Sequence, residues 1–381
     1  MSSAFTFGFN GDDIDIDRNE HEVDPNSVPQ RPGESGNAAP SEAGAVLLEA
    51  RKLDLEDMIS SLPSQISYNT LSLYDPTEWV QPIPIPRRDV CDIRAQLMAE
   101  DNPEENSNER LIAGLETDDI IPALYEGGLK TWECSATLAE TAARQYGSLL
   151  EKAAYDLEFI ELGAGTAIPS LLLLHLLFQV PPDEATQRPR RKISFVLADY
   201  NATVLNLVTL PNILLTWYTC CKNPNGEPVS QLDINSVLLD SFRHDLCDRG
   251  ISLSFISGSW SPRFVDLVAP ESKVNDDNNT RQTCILASET IYSPRSIRPF
   301  AETLTALLRR RSGARTDDPQ DKANATALVA AKTVYFGVGG GVAEFLETLR
   351  GIAGEDVPVR TINLTRYEGV ERVVLEIRGN A

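Results

Sequence analysis

From residue 118 onward the chain settles into a regular pattern. Short apolar runs alternate with longer stretches in which apolar residues return at helical spacing. Leu157 to Leu162 predicts a strand, a glycine turn follows, and the apolar stretch through Phe178 predicts a helix. Ile193 to Ala198 predicts a second strand closing on Asp199, then a helix from Ala202 to Tyr218 broken near Pro211. Ser252 to Ser257, Thr283 to Ala287 and Ala330 to Gly337 predict three further strands. Helices are predicted from Thr137 to Leu150, Pro299 to Arg310 and Val342 to Arg350. Val357 to Leu364 and Arg372 to Arg378 have no helix between them and predict an antiparallel hairpin at one edge. Such alternation implies an open, mostly parallel α/β sheet covered on both faces.

Upstream the pattern is weaker. Phe5, Phe7 and Phe9 alternate as in a strand, whereas residues 10 to 45 carry few large apolar side chains. Such a segment cannot bury enough area to offset its ordering entropy and reads as disordered. Val46 to Ile59 and Asp92 to Glu100 predict short helices, and prolines at 63, 76, 82, 84 and 86 punctuate an extended stretch between them. Polar stretches at 181–192, 222–231, 270–282 and 311–325 read as surface insertions. The organisation is therefore a largely disordered acidic extension over 1–60, an extended and helical arm over 61–117 packed on the core, and the α/β domain over 118–381.

Charge and cysteine usage narrow the function classes. With 34 basic and 56 acidic residues the chain carries −22, a poor grip for nucleic acid and a suitable one for a basic partner. The six cysteines and three histidines show no zinc-site spacing and no disulfide framework. The start has neither a basic n-region nor an apolar h-region, and the apolar run Ile168 to Val180 is too short for a bilayer. The expectation is a protein of a reduced, soluble compartment with no metal and no membrane contact.

Gly163-Ala164-Gly165 lies between a predicted strand and a predicted helix, where glycines let the backbone approach a ligand and the helix N-terminus meets an anion. A tight turn with no ligand would use the same residues. Asp199, closing the second strand, stands where a carboxylate reaches ribose hydroxyls; it could equally cap the helix that follows. Ile168 occupies the third glycine position of a dinucleotide fingerprint, which argues against a pyrophosphate and leaves room for S-adenosylmethionine. The block Leu124 to Cys134 holds Gly127, Gly128 and Trp132, and Trp132 lines an apolar pocket or simply packs. Trp260, ending the third strand, packs on an adenine or fills the core. Glu289, after the fourth strand, holds an acceptor or is an ordinary loop carboxylate.

Taken in order, these blocks resemble one family. Glu126 to Glu133, Glu161 to Thr166, Asp199-Tyr200-Asn201, Ser257 to Trp260 and Ser288 to Tyr292 are similar to the seven-β-strand protein methyltransferases. The nearest subgroup is the histidine protein methyltransferases, which Ala4 to Phe7, Leu62 to Tyr68 and Tyr335 to Gly341 also resemble. The resemblance implies a Rossmann-like seven-stranded class I methyltransferase sheet with an antiparallel C-terminal hairpin, 118–381 being the methyltransferase domain. It implies S-adenosylmethionine held by Lys130, Thr131, Trp132, Glu133, Glu161, Gly163, Ala164, Gly165, Asp199, Tyr200, Asn201, Ser259, Trp260 and Ser288. Glu289 and Tyr292 would act on the acceptor.

The same resemblance implies methylation of the tele nitrogen of one histidine in a large-subunit ribosomal protein, the universal L-three protein. It further implies a monomer acting in cytoplasm and nucleus. Two positions depart from the pattern. Ala167 stands where many relatives carry a third glycine, and its small side chain predicts little cost; Ser259 stands where an aspartate is expected. A lysine acceptor, and a non-catalytic chaperone for a ribosomal protein, remain as alternatives. A lysine must first shed a proton, its unperturbed pKa being about 10.4.

Overall fold

The run Leu157 to Leu162 is buried along its whole length, as the central strand of a sheet covered on both faces requires. In this computed structural model the described residues are 14–15, 48–74, 82–100, 112, 127–151, 156–180, 191–224, 230–270, 281–312, 325–335, 339–354, 357–367 and 370–379. The alternating Phe5, Phe7 and Phe9, most of the acidic extension, Leu124 to Glu126, Phe336 to Val338 and the bulk of the expected surface insertions lie outside them.

The strands are β1 (Ile14–Asp15), β2 (Arg51–Leu53), β3 (Gln65–Tyr74), β4 (Pro82–Arg88), β5 (Thr131–Trp132), β6 (Leu157–Leu162), β7 (Ile193–Asp199), β8 (Gln231–Asp233), β9 (Ile251–Ser257), β10 (Gln282–Ser288), β11 (Ala325–Lys332), β12 (Val359–Tyr367) and β13 (Val370–Arg378). The helices are α1 (Leu55–Ser60), α2 (Val90–Ala99), α3 (Glu133–Glu151), α4 (Ile168–Gln179), α5 (Ala202–Lys222), α6 (Ser236–Asp248), α7 (Pro262–Val268), α8 (Pro294–Arg311) and α9 (Val342–Ala353). The main sheet has eight strands in the order β12-β13-β11-β10-β6-β7-β9-β2. Neighbours from β11 through β10, β6 and β7 to β9 run parallel. The chain leaves β6 toward β7 on one side and returns at β10 on the other, so the order reverses between β6 and β10. Ligands of open α/β sheets bind at such a switch point, beyond the carboxyl ends of the strands.

The side-chain alternation of β6 divides the core. Leu157 and Phe159 join Phe195, Leu171 and Trp217 on one face; Ile160 and Leu162 join Ile285, Phe300 and Phe345 on the other. Helix α4 is apolar all round, and its buried residues span nearly its full length, the signature of a core helix. Helix α5 is long and apolar enough to cross a membrane, but 78% of that window is buried within the fold.

The structure corrects several boundaries. The fifth strand is Ala325–Lys332, several residues earlier than expected; it stops at Lys332 because the chain folds back, Val334 bridging to Gly341. The expected helix over Val46 to Ile59 is instead β2 followed by α1. Asp54 separates them by accepting from Glu56 N and Asp57 N, and β2 adds an antiparallel eighth strand beside β9. Helix α5 does not break at Pro211. Its wide π turn Leu205–Thr209 precedes the proline, so the missing N–H falls where bonding is already displaced. Helix α8 begins at Pro294 and carries Pro299 inside it. The terminal antiparallel hairpin lies at one edge of the sheet as expected, with β12 outermost and β13 between it and β11.

The arm is more regular than its prolines suggest. β3 pairs with β4 and with β8 in a separate three-stranded sheet. Pro82, Pro84 and Pro86 alternate along β4, so their missing donors all point one way, as an edge strand allows. Asn212 of α5 receives the Arg88 N–H at 2.7 Å, and Arg88 Nη1 donates to Leu207 O at 2.9 Å, tying the arm to the helix beside the glycine turn.

Candidate active site

The glycine turn is a left-handed path held from several sides. Gly163, Gly165 and Ala167 have φ of +67°, +50° and 59°. Ala164 N donates to Ala198 O at 2.9 Å and Gly165 N to Asp199 Oδ2 at 3.0 Å. Thr209 Oγ1 donates to Gly165 O at 2.7 Å and Asn212 Nδ2 to Thr166 O at 3.0 Å. A side chain on Gly165 would begin 3.2 Å from Gly128 Cα, so the two backbones touch and the 127–130 segment covers the turn. Ala167 corrects the expectation of little cost. Its size is tolerated, but the left-handed backbone disfavours any Cβ, by about 1 kcal/mol or more.

Glu161 departs from its expected ligand contact. Its carboxylate turns beneath the turn to accept from Ser170 N at 3.1 Å and from Ser170 Oγ. Burial pushes its pKa up to about 8 against the opposing Ser170 hydrogen bonds, with the Asp199 charge adding to the rise. Glu161 therefore supports the cradle from below.

Asp199 is buried at the end of β7. Its Oδ1 accepts from Asn201 N at 3.1 Å, so its carboxylate joins the glycine turn to the start of α5, and Asn201, not Asp199, is the N-cap residue. Tyr200 O and Asp199 O both receive the Gly258 N–H, drawing the ends of β7 and β9 together. Trp260 packs on Phe300 with ring centroids 5.1 Å apart, placing it against α8 and the core. Ser259, by contrast, is buried with an unpartnered hydroxyl.

The third group surrounds the end of β10. Glu289 is buried with φ +53°, a strained backbone of the kind that clusters at functional sites. Its N–H donates to Ala330 O at 2.8 Å, and its Oε1 accepts from Cys134 N at 2.9 Å. Tyr292 stands between two rings, 5.5 Å from Trp132 and 6.4 Å from Tyr335. Burial, then the Glu289 charge, holds the Cys134 thiol and the Tyr335 hydroxyl well above their usual pKa values, so both stay protonated. Lys130 and Thr131 lie in the covering segment, with Thr131 Oγ1 donating to Thr166 Oγ1 at 3.2 Å. Glu133 turns away from the turn into ion pairs with Arg372 and, at 3.9 Å, Lys332.

Ser259 Oγ, Ser288 Oγ, Thr290 Oγ1 and Glu289 Oε2 are buried with no hydrogen-bond partner among the described residues. Unpaired buried polar groups cost free energy, and these four lie at the carboxyl ends of β9 and β10, beside the switch point. A ligand with several hydroxyl, amino and carboxyl groups would complete them. No family model matches the chain. The Saccharomyces cerevisiae protein named histidine protein methyltransferase 1 is 30% identical over 410 aligned residues, covering 99% of each chain. This chain belongs to the histidine protein methyltransferase family. The Schizosaccharomyces pombe protein of the same name is also 30% identical, over 98% of this chain and 93% of that one. The solved human methyltransferase 10 domain containing protein has a TM-score of 0.32 and 12% identity, covering 77% of this chain and 99% of its own, a likeness too slight to argue from.

As a histidine protein methyltransferase the chain acts on a protein, and its class I sheet places the β6, β7, β9 and β10 blocks at one end of the domain. Cys134, Tyr335, Lys332 and Arg372 join that site without having been singled out for it in the sequence. Cys134 closed the Leu124 to Cys134 block without a role of its own, and Tyr335 stood inside a block quoted for resemblance alone. Lys332 and Arg372 are brought together by the inserted β13, whose place in the sheet no local pattern announces.

Proposed function

We propose that the chain transfers a methyl group from S-adenosylmethionine to the tele nitrogen of one histidine in a large-subunit ribosomal protein of the universal L-three type. The observation that carries this reading is the buried, unpartnered Glu289 Oε2. Bound S-adenosylmethionine supplies an electrophilic methyl on a sulfonium sulfur. Gly163, Gly165, Asp199, Ser259 and Ser288 would hold it at the strand ends. A neutral imidazole, with an unperturbed pKa of about 6.5, needs its lone pair on the tele nitrogen and its proton on the pros nitrogen. Glu289 Oε2 accepts the pros N–H, which selects that tautomer and orients the ring. Trp132 and Tyr292, with rings 5.5 Å apart and tilted 58°, would bound the acceptor ring on two sides and limit its rotation. After transfer the imidazolium proton leaves from the pros nitrogen, beside the same carboxylate.

The −22 charge supports a basic protein client without nucleic-acid contact. We further take the enzyme to act as a monomer in the cytoplasm and nucleus. The test is incubation of a ribosomal protein extract with labelled donor, followed by mapping of the modified residue. Label on the tele nitrogen of a single L-three histidine is the expected result. Label on lysine, or on another protein alone, would overturn the substrate reading.

A further inference from the structure

Glu289 is anchored from two elements besides its own loop. Its N–H donates to Ala330 O of β11 at 2.8 Å, and its backbone is left-handed. Its Oε1 accepts the N–H of Cys134, the second residue of α3, at 2.9 Å. Charge and side-chain hydrogen bonding link the same carboxylate to the Cys134 thiol and to the hydroxyl of Tyr335, just beyond β11. Burial, then the Glu289 charge, keeps the proton on both groups, so each has a proton to offer the carboxylate. In Tyr335 the direction of that proton is set as well. The phenol oxygen accepts from Lys332 N at 3.2 Å, and a phenol has a single proton to donate. With Lys332 N–H on its lone pair, the O–H is left for Glu289. A carboxylate bonded through one oxygen alone still turns about its last carbon–carbon bond, a broad torsion. Donors from the start of α3 and the end of β11 together fix its plane. Oε2 is the oxygen left without a partner among the described residues.

We propose that Tyr335 and the Cys134 thiol are positioning residues that decide which imidazole nitrogen is methylated, by fixing the Glu289 carboxylate with Oε2 toward the acceptor. The inference rests on the reading of Glu289 as the group that meets the acceptor ring. A neutral imidazole has one N–H and one lone pair, on different nitrogens. The nitrogen that gives its N–H to Oε2 is spared, and the other attacks the methyl. A carboxylate of fixed plane accepts from the pros nitrogen alone. A carboxylate free to turn also meets the ring in its flipped pose, where the tele N–H is bound and the pros nitrogen attacks. Tyr335 and Cys134 do this without touching substrate, because their effect passes through Glu289.

The probe is a ribosomal protein extract from cells lacking the enzyme, incubated with labelled S-adenosylmethionine and the full-length protein. The product is hydrolysed so that the two methylhistidine isomers are counted separately. Tyr335→Phe keeps the ring beside Tyr292 and loses the hydroxyl. It should raise the ratio of pros to tele product by about tenfold, the scale of one hydrogen bond to a charged group. Calorimetry should show S-adenosylhomocysteine bound within a few-fold of wild type. A purely structural role would lower total product and leave the isomer ratio alone. Cys134→Ala should move the ratio in the same sense, and Cys134→Ser, which restores a donor, should bring it back. That pair carries the test if Tyr335→Phe fails to fold or makes no product. An unmoved ratio in folded Tyr335→Phe overturns the proposal; where the cysteine pair stands in, so does one ratio shared by Cys134→Ala, Cys134→Ser and wild type. Folded Glu289→Ala that keeps full tele methylation removes the Glu289 reading itself. Glu289→Ala that loses it, beside an unmoved Tyr335→Phe ratio, removes the positioning inference alone.

Discussion

Glu161 ends the central strand with its carboxyl group sealed under the glycine turn, and burial raises its pKa from 4.5 to about 8. A folded-state acid with a raised pKa keeps a proton that the unfolded chain has released, so stability falls as pH rises from about 4.5 to about 8. His175, on the next helix, works in the other sense. Burial lowers its pKa from 6.5 to about 4, so the unfolded chain binds the extra proton and stability rises with pH across that window. Between 4.5 and 6.5 the two slopes oppose each other; above 6.5 only the Glu161 slope remains. Thermal scans should therefore show the wild-type Tm declining from pH 6.5 to 8, and Glu161→Gln should flatten that limb. At about 1.4 kcal/mol per pKa unit, even half of the shift gives a measurable slope. A limb that Glu161→Gln leaves unchanged would mean that the Ser170 hydrogen bonds keep the carboxylate charged in the fold. The same residue shows why sequence and role part company. An acid at a strand end facing a glycine turn invites a ligand contact, and only the position of Ser170 one helical turn later reveals that it is used internally.

Between β11 and α9 the connecting turn acts as a clamp on the Glu289 loop. Gly340 N donates to Tyr292 O at 3.0 Å, Tyr335 N donates to Gly340 O at 3.3 Å, and Val334 bridges Gly341. A Cβ on Gly340 would lie 2.3 Å from Tyr292 O, a backbone atom that cannot swing aside. Gly340→Ala should separate the clamp from the loop, costing about 1–3 kcal/mol of stability and at least tenfold in kcat, with donor affinity held within a few-fold. Gly351 in α9 meets nothing within 4 Å, so Gly351→Ala should keep full activity and gain up to about 1 kcal/mol. Equal kcat in the two variants would remove the clamp from the mechanism. At this scale the sequence was legible wherever an element is buried on both faces. β6, α4, β7, β9 and β10 were placed within a residue or two because apolar runs flanked by turn residues leave few alternatives. The β3–β4 hairpin was not, since Pro82, Pro84 and Pro86 hide a strand that tolerates them only as an edge. β11 was displaced because Ala325 and Ala327, small enough to pack under helices, carry no strong strand signal, whereas Val334 and Tyr335 beyond its end do. The strand-end positions of the blocks quoted for the cofactor were legible because each block is contiguous. Around the expected Glu289 and Tyr292, the neighbours Cys134 and Tyr335 were not legible, because they are far apart in sequence and meet only through sheet order.

The whole molecule carries −22, and within the described residues its cations are largely committed to internal pairs. Arg88, Arg249, Arg311 and Arg372 each sit in an ion pair with little exposure of their own. The remaining acidic excess creates a negative field over the surface, which raises the local concentration of a basic client and speeds its encounter. Such a field acts before contact and is screened over about 10 Å at 0.1 M salt. The proposed transfer step takes place beside the buried Glu289, away from that surface field. Raising ionic strength should therefore raise KM for a basic protein substrate by about tenfold between 50 and 500 mM salt, while kcat stays level. KM for a short neutral peptide carrying the same histidine should change little. Initial-rate measurements over a salt series on both substrates decide the matter. If KM for the basic protein is indifferent to salt, the acidity of the chain serves solubility, and recognition rests on contacts around the pocket. If kcat falls in step with kcat/KM, salt reaches the pocket itself, and the side chains around Glu289 are exposed to solvent ions during turnover.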